Sequence, residues 1–141
     1  MVKPILVLDF DGVCHSYSSG WKGIALCPDP PVEGLFPFLE KVMQVFDVHI
    51  HSSRSSERRG REAMASWFMK EYGEWLNTPD GKEKSAQVFR FIRDLQFPEH
   101  KPPALVTLDD RAVCFKGKWP KVMDLVGFQP WHKRQKKEDA E

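Results

Sequence analysis

The sequence predicts an α/β fold in three layers, a parallel sheet with helices on both faces, of the doubly wound, Rossmann-like type. Three observations carry this. Short aliphatic runs alternate along the chain with longer segments of helical period, the signature of β-α-β units. Each aliphatic run ends in a polar cluster: Asp9 and Asp11, then Ser52 to Arg54, then Asp109-Asp110. In such sheets ligands gather at the carboxyl ends of the strands. The length, 141 residues, suits one core, expected over 1–127, with a C-terminal extension over 128–141 that frays at its end.

Taken in order, Ile5 to Leu8 is unbroken aliphatic and reads as a buried parallel strand. Residues 12–31 carry Gly, Ser and Pro without a period, so they read as a long loop or hairpin, with a turn near Gly20. A helix is expected over 33–46, where Leu35, Phe36, Leu39, Val42, Met43 and Phe46 recur at helical spacing. Pro37 is tolerable there because it falls near the first turn. A strand over 47–52 sets Val48 and Ile50 on one face and His49 and His51 on the other.

A helix over 57–72 comes next, with Met64, Trp67, Phe68 and Tyr72 as its apolar stripe. Asn77-Thr78-Pro79-Asp80-Gly81 reads as a turn. A third helix is expected over 82–95, with Val88, Phe91, Ile92 and Leu95 in register. Pro98, Pro102 and Pro103 interrupt the chain, and 104–108 reads as another buried strand. A short strand over 113–115, a turn at Lys116-Gly117-Lys118 and a short helix over 120–126 complete the pattern.

Composition narrows the class. Hydrophobic residues make up 41%, charged residues 29%, and the net charge is +1. The whole molecule is therefore not drawn to nucleic acid or membrane, and any such preference must come from local patches. Three cysteines at irregular spacing argue against a disulfide framework or zinc site and for a reducing, cytoplasmic setting. No run approaches the roughly 18 apolar residues of a membrane span. The N-terminal apolar run is too short for a signal peptide. Nothing in the sequence indicates oligomerisation.

The chemistry begins at Asp9-Phe10-Asp11-Gly12. A carboxylate ending a buried strand needs a partner, and two close together repel. A divalent cation resolves both problems, and magnesium suits carboxylate oxygens. Asp109-Asp110, at another strand end, would add ligands. The alternative is a pair of cap or loop carboxylates. Ser52, Ser53 and Arg54 offer donors for phosphate oxygens, although Ser52 also fits a helix N-cap. Lys101, ahead of a strand, can neutralise a phosphate or be a solvated loop lysine.

The order Asp9-Phe10-Asp11-Gly12-Val13, Ile50-His51-Ser52-Ser53, Lys101-Pro102 and Leu108-Asp109-Asp110 resembles the haloacid dehalogenase-like (HAD) superfamily over residues 4 to 127. Ser52-Ser53-Arg54 and Leu108-Asp109-Asp110-Arg111 are also similar to the phosphatase domains of polynucleotide kinase-phosphatases. The resemblance implies a Mg2+-dependent phosphomonoesterase. In it Asp9 is the nucleophile and forms an aspartyl-phosphate. Asp11 is the general acid and base. Ser52 binds the transferring phosphoryl group, and Lys101 stabilises it. Asp9, the Asp11 carbonyl and Asp109 hold the metal, with Asp110 beside them. Lys82 or Lys84 could take the place of Lys101.

The segments between Val13 and Val32 and between Tyr72 and Lys101 leave no room for a large cap, so a small flap is expected over 17–31. An open site suits a large phosphorylated substrate, such as a nucleic-acid end, a nucleotide or a phosphoprotein. Arg54, Arg58, Arg59 and Arg61 could meet a polyanion, with Trp21, Trp119 and Trp131 stacking on bases, but a solvated helix face and core tryptophans are the stronger reading. His49 and His51 read as packed or exposed rather than as ligands, and His15 in the flap could touch substrate. A phosphate-receiving signalling domain would need an acceptor aspartate where this chain has Ser52. A catalytically inactive HAD fold serving as a binding module is the remaining alternative.

Overall fold

The run Ile5-Leu6-Val7-Leu8 carries no polar side chain to keep in water, and Leu6, Val7 and Leu8 are buried in β1 (Ile5–Leu8). The computed structural model describes residues 2–88 and 91–134. Within these, β1 is the middle strand of a three-stranded parallel sheet. It is flanked by β2 (Asp47–Ile50) and β3 (Val106–Leu108), in the order β2-β1-β3. The register sets Leu8 opposite both Ile50 and Leu108, so the three strands end level with one another. The chain is thus of the α/β class, as expected.

The described residues form five helices: α1 (Leu35–Val42), α2 (Arg58–Leu76), α3 (Pro79–Val88), α4 (Phe91–Asp94) and α5 (Val122–Val126). α1 is shorter than its period suggested, because the chain leaves helical pairing in a turn where the Val45 N–H meets the Val42 carbonyl at 3.0 Å. Pro37 sits in its first turn, where the missing N–H costs nothing. α2 buries Met64, Trp67, Phe68 and Tyr72, the stripe expected of it. These pack with Leu6, Leu8, Val48, Ile50, Leu35 and Leu39 in one core cluster. None of the described helices is long and apolar enough to cross a membrane.

Three local expectations are corrected. Pro79-Asp80-Gly81 is not turn but the first turn of α3, and the Thr78 hydroxyl caps it by accepting the Gly81 N–H at 3.2 Å. The expected helix over 82–95 is covered by α3 and α4, with residues 89–90 of that stretch outside the described residues. β3 is shorter than expected and is not buried: Val106 and Leu108 are 44% and 43% exposed, because the core cluster packs on residues of β1 and β2 and includes none of β3. No strand forms at 113–115, where Val113 and Phe115 are exposed.

The chain divides into two compact units, Met1–Leu108 and Asp109–Glu141. The second contains the Lys116-Gly117-Lys118 turn, with Gly117 at φ 91, and α5, which buries none of its residues. Residues 135–141 of the tail expected to fray lie outside the described residues.

Candidate functional site

The level strand ends fix the residues just beyond them. The Asp9 N–H donates to the Leu108 carbonyl at 3.0 Å, and the His51 N–H donates to the Leu8 carbonyl at 3.1 Å. Asp9 is therefore held at the carboxyl end of the middle strand. Between the two carboxylates, Phe10 is fully buried, stacked on His15 (5.2 Å between centroids) and edge-on to Trp67 (5.0 Å). The aromatic anchor explains the one-residue spacing: it fixes the backbone that carries Asp9 and Asp11.

Asp11 meets two partners. The Arg54 guanidinium donates to it twice, from Nε to Oδ2 at 2.9 Å and from Nη2 to Oδ1 at 3.2 Å. His15 Nδ1 lies 2.9 Å from Oδ1. The tautomer of His15 is set by its other nitrogen. Nε2 accepts the Asp29 backbone N–H at 3.0 Å, so the ring proton belongs on Nδ1 and points at Asp11. Burial raises the Asp11 carboxyl, but the bonds from His15 and Arg54 and the Arg54 charge outweigh it and hold the carboxyl below its ordinary range.

Arg54 has no solvent exposure. Its Nη1 donates to the Gly23 and Ile24 carbonyls at 2.9 and 2.8 Å, and its guanidinium lies 4.7 Å from the Trp21 ring centroid. The expected flap is thus fastened down rather than free. Its stem is paired too, with the Ser16 N–H on the Pro30 carbonyl and the Val32 N–H on the Cys14 carbonyl, each at 2.9 Å. Asp29 accepts from the Ser19 amide and hydroxyl, and its own carbonyl accepts the Trp67 indole N–H at 2.9 Å. Burial raises the Asp29 carboxyl, and the Ser19 bonds bring it below its ordinary value.

Ser52 lies just past β2 and closes a tight turn. The Ser55 N–H meets the Ser52 carbonyl at 3.0 Å, the Ser52 N–H meets Ser55 Oγ at 2.9 Å, and the Arg54 N–H meets Ser52 Oγ at 3.1 Å. Ser52 is not the N-cap of α2, since that helix starts after Glu57. Ser53 is exposed. Gly60 is needed where α2 crosses this turn: a Cβ there would lie 2.1 Å from the Arg54 carbonyl oxygen.

Of the arginine cluster, only Arg54 turns inward. Arg58 and Arg59 are exposed and pair with Glu62 and Glu57, while Arg61 donates to the Ser55 carbonyl at 2.7 Å. His15 is fully buried, so it offers no surface to a substrate in this conformation. His49 pairs with Asp47 at 3.0 Å. Lys101 is exposed in the irregular stretch before β3. Lys82 is also exposed, and the Lys84 side chain lies outside the described residues.

Asp109 and Asp110 come directly after Leu108 and open the second unit. Within it, Asp109 Oδ1 accepts the Arg111 N–H at 2.8 Å, and Asp110 Oδ2 lies 2.9 Å from His132 Nε2. The sequence did not single out the Arg54–Asp11–His15 network or its tie to Asp29. Its only local trace is the i, i+4 spacing of Asp11 and His15. No family model, curated protein or solved structure matches the chain.

Proposed function

We propose that the chain is a Mg2+-dependent phosphomonoesterase of the HAD-like kind, working through an aspartyl-phosphate, and that its sheet is the core of a three-layer, Rossmann-like arrangement. One observation carries the reading: β1, β2 and β3 end level, and Asp9, the Ser52 turn and Asp109-Asp110 follow within two residues of those ends along the chain. In parallel sheets this edge is where ligands are bound. Three free cysteines fit the proposed cytoplasmic setting.

Oxygen donors alone, Asp9, the Asp11 carbonyl, Asp109 and Asp110, are the set that magnesium takes, and the ion would shield phosphate charge there. Asp9 attacks phosphorus as the leaving oxygen departs. The Ser52 and Ser53 hydroxyls and the Ser53 N–H hold the phosphoryl oxygens, and Lys101 adds a positive charge. Arg54 contributes by fixing Asp11. Asp11 is held ionised, and to take a proton from the hydrolytic water it must free an oxygen from Arg54 or His15. To protonate a leaving group it must first loosen its pairing with Arg54. The proposed substrate is a large phosphorylated molecule, with nucleic-acid ends and nucleotides first in line.

The inactive binding-module reading draws on the same pairing, since Asp11 is fully engaged at rest. Phosphate release from p-nitrophenyl phosphate and phosphorylated oligonucleotides, with and without magnesium, separates the two. The expected result is magnesium-dependent turnover that falls to background in Asp9→Asn. Turnover that survives this change would sink the nucleophile assignment. No turnover of any substrate, together with no magnesium-induced rise in melting temperature, would favour the binding module.

A further inference from the structure

Within the second unit, the segment Phe115-Lys116-Gly117-Lys118-Trp119-Pro120-Lys121 alternates rings and cations. Its two rings touch at a tilt, with centroids 4.8 Å apart at 46°, yet both remain open: Trp119 is 88% and Phe115 55% exposed. They line a cavity of about 610 Å³ together with Lys116, Lys118, Pro120 and Leu125. Over residues 113–134, Asp124 is the single acid against Lys116, Lys118, Lys121, Lys133 and Arg134. The near-neutral whole molecule thus carries a locally cationic segment, two of whose lysines, Lys116 and Lys118, line the same cavity as the rings.

We propose that this face binds a single-stranded nucleic-acid segment, with bases stacking on Trp119 and Phe115 and Lys116, Lys118 and Lys121 meeting the phosphates. Every base has a π-face, so aromatic platforms among lysines suit a flexible polyanion without demanding a sequence. A second protein copy suits it less, because lysine is depleted from the cores of protein interfaces. The proposal goes beyond the phosphatase reading and does not depend on Asp9 chemistry.

Fluorescence anisotropy of the full chain with labelled, unphosphorylated oligo-dT and oligo-U tests it. Binding of either strand is expected, weakening as salt rises. Trp119→Ala should cost roughly tenfold in affinity. The double change Lys116→Glu, Lys118→Glu should cost more, and neutralising both lysines as glutamines should flatten the salt slope by about 0.7 per lysine. Affinity unchanged in these variants, or no binding at low salt, would overturn the proposal. So would self-association that Trp119→Ala abolishes in the absence of oligonucleotide binding, which would give the face to a second copy. None of these residues belongs to the proposed catalytic set, so p-nitrophenyl phosphate turnover reports separately on the phosphatase reading.

Discussion

Arg54 donates to four oxygens, two on Asp11 and the carbonyls of Gly23 and Ile24, from a position without water. Removing the guanidinium leaves a largely buried carboxylate with His15 alone and strands two carbonyls at once. Arg54→Ala should therefore lower stability by about 3–5 kcal/mol, the usual cost of breaking a buried pair from one side. Arg54→Lys should recover little, because a point charge cannot reproduce the fork. Urea midpoints measure both, and a loss under about 1 kcal/mol for Arg54→Ala would contradict the buried pairing.

Asp29 makes the matching case for pH. Its folded value lies below the ordinary 3.8. The stabilisation is complete above that ordinary value and is lost as pH falls through the folded one. Asp29→Asn should lose stability at neutral pH and show a shallower acid limb than the wild type. Parallel curves of urea midpoint against pH would refute this. At this scale the sequence was half legible. Asp9 and Ser52 could be placed because each comes after an aliphatic run. Which of four arginines turns inward could not, because that depends on a partner, Asp11, 43 residues away in the chain.

At the scale of elements, periodicity located α1, α2, β1 and β2, and it failed where an isolated signal had two meanings. Pro79 and Gly81 read as turn residues, yet Thr78 before them is a cap and proline is at home in a first helical turn. The run at β3 reads as a buried strand, but burial depends on neighbours that the run itself does not encode. The two glycines of α2 make a paired prediction. Gly73 has open space around its Cβ position, so Gly73→Ala should stabilise by about 0.5–1 kcal/mol through helix propensity. Gly60→Ala meets the Arg54 carbonyl and should destabilise by roughly 1–3 kcal/mol. Equal shifts in the two thermal melts would count against the close crossing.

For the molecule as a whole, the α/β class was legible because alternation of aliphatic runs and helical periods is a global pattern. The division after Leu108 was not, since no Gly- or Ser-rich linker marks it and the charges of Asp109-Asp110-Arg111 read as site residues rather than as a boundary. The cysteines, scattered over both units, differ sharply in setting. Cys14 is fully buried, and its thiol is pushed up by burial and then by the charges of Asp9 and Asp11. Cys27 is half-buried and raised by burial, while Cys114 is exposed.

That gradation makes the chain selectively labellable. Only a thiolate attacks a maleimide, so one equivalent at neutral pH should modify Cys114 first, with Cys27 slower and Cys14 protected until the fold opens. Peptide mass spectrometry that found the first adduct on Cys14 would be incompatible with this packing. A dye at Cys114 would sit next in the chain to Phe115, where it could report on occupancy of the ring-and-lysine face. The rate at which Cys14 becomes alkylated would then count openings of the core beneath Asp9, giving one reagent two independent readings of the same protein.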